Sequence, residues 1–362
     1  MYWFSEISFF VKNLMLNHTI HHSARFPNIK ALMWDNTKLY AARGYNVYSY
    51  DTASISEQWN LIGRYNPNLS QRACEYSKTL ARIKRSGFHH LTALGNNELI
   101  GIIDKALVKL PADSKAFRKI FSITRGTRPL SLTTNPEGHI FWGEYFSNPA
   151  RDPVNIYASY DLGESWSIAY TFPKSAIRHI HNIIWDQYIN SFWIFTGDEH
   201  NECLIMTADK NMDNLKIVFQ GKQQIRCVAG IPRPEGLYFA SDTPFEANHI
   251  YLIDQDGSLN PLSPMPSSSL SACNISNILC FSSAVEPSSV NKSKSASLVI
   301  SSNGQDWDNV VKWDKSMLPS KLFQFANISL PTGYNSSSFL AATGISVKKE
   351  HMTTHLWEIK RK

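Results

Sequence analysis

The stretch Ser159-Tyr160-Asp161-Leu162-Gly163-Glu164-Ser165-Trp166 spells S-x-D-x-G-x-x-W between two strand-like segments, and it decides how the rest of the chain reads. The spacing describes a tight turn. Asp161 can accept hydrogen bonds from the backbone N–H groups just ahead of it, Gly163 can take a positive φ, and Trp166 opens the following strand with a large apolar anchor. Worn copies recur as Val47–Asp51, Gly101–Asp104, Leu204–Asp209, Tyr251–Asp254 and Val299–Asn303. Successive acidic or amide anchors are 53, 57, 48, 45 and 49 residues apart, and each is followed by another short apolar segment. A period in this range with several short strands per unit predicts an all-β chain forming a β-propeller of four-stranded antiparallel blades.

On these turns the chain resembles the sialidase-like propellers with Asp-box (bacterial neuraminidase) repeats. Residues 159–166 match the full motif, and Ser301, Asn303, Gly304 and Trp307 keep a shortened form. The resemblance implies that the boxes lie on the outer side of the blades, away from the ligand, and are structural. It also implies glycan chemistry at the channel mouth: a Tyr-Glu pair, three arginines gripping a carboxylate, and an acid/base aspartate. Glu144-Tyr145 and Arg128, Arg178 and Arg226 offer such groups. The Arg-Ile-Pro stretch of that family is not found near the N-terminus; Gly230-Ile231-Pro232-Arg233 has another order and place.

One propeller domain over 1–362 is expected, with seven blades preferred to six, at about 28–66, 86–123, 128–172, 177–220, 224–262, 268–315 and 320–360. Segments 322–326, 338–342 and 355–359 supply C-terminal strands and Ser5–Val11 the strand that closes the ring, because closure removes exposed edges. With 362 residues, 43% hydrophobic, the chain can bury such a core. Residues 71–85 read as a short basic helix with a solvated face.

A formal charge of +6, spread along the chain without a dense basic run, suits an acidic glycan and no nucleic acid. No apolar run is long enough for a membrane span. The N-terminus does not read as an export signal, so a cytoplasmic monomer is expected, with export open if a segment precedes Met1. The five cysteines lack metal-type spacing and read as reduced thiols.

In a propeller the innermost strands begin near the channel mouth, so residues far apart in sequence converge there. The blade starts are rich in Arg and His: His89, His90, Arg128, Arg178, His179, His181 and Arg226. Glu144, Asp198 and Asp242 each follow an apolar second strand at matching positions. Catalytic roles are assigned to Glu144, Tyr145, His179, His181, Asp198 and Asp242, and substrate binding to His89, His90, Arg128, Arg178 and Arg226. No cofactor is assigned. No metal is assigned either, since the i, i+2 histidines lack a fixed third ligand; His89, His90, Glu144 and Asp198 are the options. The leading expectation is a glycoside hydrolase acting through paired carboxylates on an acidic or complex bacterial glycan. The alternatives are a polysaccharide lyase, with a histidine taking the C5 proton of a uronate and Tyr145 or a second histidine donating one, and a binding propeller without catalysis.

Overall fold

The computed structural model describes residues 12–13, 18–54 and 58–361. Ser5–Val11 lie outside them. The chain runs as successive four-stranded antiparallel meanders arranged as a β-propeller. The first comprises Lys30–Asn36, Lys38–Arg43, Asn46–Asp51 and Asn60–Tyr65, and the second His90–Ala93, Leu99–Ile103, Ala106–Leu110 and Ala116–Ser122. Three separate sheets span residues 133–172, 179–220 and 227–264, and a further meander runs from 269 to 314. In the last, Ala326–Ser329, Phe339–Ile345 and Thr353–Arg361 are completed by the N-terminal strand His18–Pro27, antiparallel to Thr353–Arg361 with His18 opposite Arg361. The strand expected over 322–326 starts later, because Ser320–Phe323 forms a helical turn.

Burial explains why these second strands carry no charged residue. Leu99–Ile103, Ile140–Gly143 and Ile278–Val285 are buried at every residue, each sandwiched between neighbouring sheets, whereas the fourth strand Ser167–Phe172 is largely exposed. The core lies between meanders. Phe141 and Ile156 of one pack with Ile180, Ile183 and Phe192 of the next. Ile20 of the N-terminal strand joins Leu298, Ile328, Leu340 and Trp357 in the cluster that locks the two chain ends together.

The Asp-box turn joins the third and fourth strands of its sheet. Asp161 Oδ1 accepts from the Ser165 N–H at 2.8 Å, and the Ser159 hydroxyl donates to Asp161 while accepting from the Gly163 N–H at 2.8 Å. Gly163 sits at φ +90, a conformation that disfavours a side chain. Asp51, Asp209, Asp254 and Asn303 cap the equivalent turns, accepting from Ala53, Asp213, Ser258 and Gln305 N–H groups. Asp104 does not belong to this set: it follows the second strand Leu99–Ile103, and two helices inserted between the first two meanders lengthen the stretch from Asp51 to Asp161.

Burial alone would raise the Asp161 carboxyl, but the hydrogen bonds from Ser165 and Ser159 outweigh it and bring it to about 2. Asp161→Ala is expected to cost about 1–2 kcal/mol of folding stability at neutral pH, read as a lower urea midpoint. Because the folded pKa is depressed, this stabilisation is present above the unfolded carboxyl pKa and is lost as pH falls toward 2. An unchanged midpoint at neutral pH would refute the role.

The segment between the first two meanders forms two helices, Leu69–Tyr76 with an Asn68/Gln71 capping box and Lys78–Lys84 capped by Ser77. The second ends at Arg85 in the left-handed region, and Arg82 donates to Ser316 Oγ at 2.9 Å, tying this pair to the segment before the last meander. Among the described residues no helix is long and apolar enough to cross a membrane.

Candidate functional site

The innermost strands begin at Lys30, His90, Thr133, His179, Cys227, Ser269 and Ala326. At that end of the propeller lies a cavity of about 520 Å³. Its wall carries His89, His90, Arg128, Tyr145, Arg178, His179 and Asp198, all singled out from the sequence, together with Lys30, Arg85 and Gln324, which were not. Lys30 occupies in the first meander the place that His90 and His179 hold in theirs. Arg85 is delivered by the helix end, so the segment read as a solvated basic helix contributes directly to the cavity.

Four cationic side chains therefore face this space: Lys30, Arg85, Arg128 and Arg178. Lys30 Nζ donates to the His89 carbonyl at 3.2 Å, and burial lowers its pKa to about 8. Arg128 donates through Nε to His89 Nε2 at 3.1 Å and through Nη2 to the Lys84 carbonyl at 2.7 Å, which holds its fork in place. Burial and the Lys30 charge push His90 down to about 3, so its imidazole is neutral. Burial, with Asp198 and Asp242 nearby, pushes the Tyr145 phenol up to about 12 and keeps it protonated. Gly126, at φ +78, lets the Arg125–Arg128 turn press against the Tyr145 carbonyl, which would lie only 2.2 Å from an added Cβ.

Among the described residues Asp198 is the single carboxylate on the wall, and it is heavily partnered. Arg178 Nη1 and Arg226 Nη2 each lie 3.2 Å from its oxygens. His181 Nε2 lies at 3.2 Å and His179 Nε2 at 3.4 Å. Burial raises its pKa, but the contacts with both imidazoles overcome this and hold it far below the usual carboxylate range. His181 sits behind His179, and the two Nε2 atoms are 3.2 Å apart. The Tyr145 ring packs on His179 with centroids 4.3 Å apart.

Two acids expected at the mouth stand back from it. Glu144 is 1% exposed and faces the other way: Arg125 donates to it through Nε at 2.9 Å and through Nη2, and the Asn155 N–H donates at 2.8 Å. Asp242 is buried behind Arg226, 3.6 Å from its Nη2, and burial raises its carboxyl to about 7. Arg226 thus bridges the two aspartates and reaches the cavity only through Asp198. The arrangement can bind an anion and move a proton at Tyr145 or His90; it does not set two carboxylates across an open cleft.

Neither a family model nor a curated protein sequence matches this chain. Among solved structures, the WD40 β-propeller domain of Doa1 aligns with 94% of this chain and 97% of its own at TM-score 0.55 and 10% identity. The computationally designed protein Ika8 aligns with 92% of this chain and 96% of its own at TM-score 0.51 and 9% identity. At these identities the likeness establishes a β-propeller and leaves ligand and chemistry to the site itself.

Proposed function

We propose that the cavity holds an acidic saccharide by the carboxylate of a uronate ring and cleaves it by β-elimination. The observation that carries this reading is the charge balance of the wall: among the described residues, four cationic side chains face one carboxylate, Asp198, which Arg178 of that set and Arg226 already meet, while Asp104 lies 3.9 Å from Arg128. Guanidinium forks suit a planar carboxylate, and binding it there stabilises the charge that develops when the neighbouring carbon loses its proton. A glycan as the ligand is suggested by the resemblance of the Asp-box turns to those of sialidase-like propellers; the turns themselves are structural and say nothing about the bond broken.

In this reading His90 takes the C5 proton. The C5–H electron pair forms the C4–C5 double bond, the C4–O4 bond breaks, and the Tyr145 phenol supplies the proton to O4. His90 is a weak base in the empty site; an anionic ligand beside Lys30 raises its proton affinity on binding. Hydrolysis fits less well. A glycosidase needs a protonated carboxyl and a second carboxylate facing the sugar, whereas Glu144 and Asp242 face away and Asp198 is held ionised.

The test is to incubate the protein with polyuronates and neutral bacterial polysaccharides, recording reducing ends alongside the ultraviolet absorbance of an unsaturated uronate. Both signals rising together on a polyuronate is the expected result. Reducing ends alone would overturn elimination in favour of hydrolysis, and binding without either signal would leave a glycan-binding propeller. A pH dependence follows from Lys30, whose cation is present below its pKa of about 8 and lost above it. KM for a polyuronate is expected to rise as pH climbs through about 8, and Lys30→Met should show a higher KM without that limb. An identical limb in the variant would place the titration elsewhere.

A further inference from the structure

We propose that His179, His181 and Asp198 form a site for a divalent transition-metal ion in the cavity wall. His179 Nδ1 lies 3.1 Å from the Phe146 carbonyl oxygen and His181 Nδ1 lies 3.0 Å from that of Cys227. A carbonyl oxygen only accepts, so both Nδ1 atoms carry the hydrogen, and in the neutral rings both Nε2 atoms present lone pairs. Those lone pairs meet each other at 3.2 Å, with Asp198 oxygens at 3.2 and 3.4 Å. Arg178 and Arg226 meet the Asp198 charge, but the two facing Nε2 lone pairs require a positive centre between them, a metal ion or a proton. Backbone carbonyls fixing the outer nitrogen of each ring are also the usual support of metal-binding histidines.

The spacing suits such an ion. Ligands bound at about 2.0–2.2 Å in tetrahedral or octahedral geometry lie roughly 3.0–3.5 Å from one another; the two Nε2 atoms meet this spacing, and each has one Asp198 oxygen within it, Oδ2 for His179 and Oδ1 for His181. Local structure builds the cluster deliberately. The pairing of His179–Asp186 with Ser191–Gly197 skips a register position between Ile180 and Asn182, so the strand bulges at His181. Gly197 leaves room for that ring, since an added Cβ would lie 2.9 Å from His181 Cε1. Arg178 and Arg226 both draw on the Asp198 charge, which leaves the imidazoles as the principal donors. That set favours zinc, cobalt or nickel over calcium or magnesium.

His179 and Asp198 line the cavity, so the open coordination positions face the place assigned to the saccharide. There a metal would receive the uronate carboxylate beside the arginines. This use of the ion rests on the proposed elimination; the binding of the ion does not.

The test is titration of chelator-treated protein with cobalt and with zinc, without saccharide, by ligand-field absorption and calorimetry. The expected result is one equivalent bound, with cobalt bands of nitrogen-rich coordination, and affinity lower by roughly 100-fold or more in His179→Gln and His181→Gln. Circular dichroism and melting confirm that the variants fold; if they do not, the cobalt spectrum of the parent protein still decides. No stoichiometric binding of either metal, or unchanged affinity in a folded His181→Gln, would overturn the site and assign the positive centre to a proton shared with Asp198. Metal bound without any elimination would support this site while sinking the proposed function. Elimination by a protein that binds no metal would do the reverse.

Discussion

Tyr145→Phe is expected to lower kcat on a polyuronate by about 10²–10⁴-fold while leaving KM close to its original value. The phenol is held protonated, with its pKa pushed to about 12, and it shares the cavity wall with His90 and the arginines. Phenylalanine keeps the ring that packs 4.3 Å from His179 and removes only the hydroxyl, so positioning survives and proton donation to O4 does not. Steady-state rates followed by the unsaturated product check this. A substrate whose leaving group needs no protonation should recover much of the lost rate in the variant, which a merely structural hydroxyl would not produce. An unchanged kcat would remove Tyr145 from the reaction.

The second large effect concerns stability at a residue whose sequence position suggests catalysis. Arg125→Met is expected to cost about 3–5 kcal/mol, because it strands the Glu144 carboxylate in the interior without its cation. Glu144 is 1% exposed and would keep only the Asn155 N–H at 2.8 Å and the longer contact with the Tyr157 hydroxyl at 3.5 Å. Urea unfolding measures the loss. Replacing both partners, Arg125→Met with Glu144→Leu, should recover most of it. If Glu144→Gln instead abolished turnover in a stably folded protein, Glu144 would have to be restored as a catalytic acid.

The difference between Glu144 and Asp198 shows what a sequence can carry. Both directly follow a second strand, as Asp242 does, and that equivalence was readable because strand order fixes where a chain crosses the channel mouth. The direction of the side chain was not, since it depends on which cation comes within reach. Arg125 turns Glu144 outward from the cavity, and Arg226 holds Asp242 behind Asp198. Lys30 is the first residue of the first innermost strand, but a lone lysine does not stand out among blade starts marked by clustered Arg and His. Arg85 showed only as the end of the basic segment 71–85, and Gln324 carried no signal. Each sits just past a short helix with positive φ, and only the folded chain shows those helix ends beside the cavity. The turns were the most legible part, because Asp161 with Gly163 states its own hydrogen bonding, and Asp104 misled only because a turn between other strands uses the same residue type.

The measurement that bears most directly on the central claim is the mass of the fragments released from a defined oligouronate. Elimination adds nothing to the substrate, so the masses of the two fragments are predicted to sum to that of the parent, with one fragment unsaturated at its non-reducing end. Fragments that together exceed the parent by one water would show hydrolysis and contradict the assignment of His90 and Tyr145 to proton transfer across the C4–C5 bond.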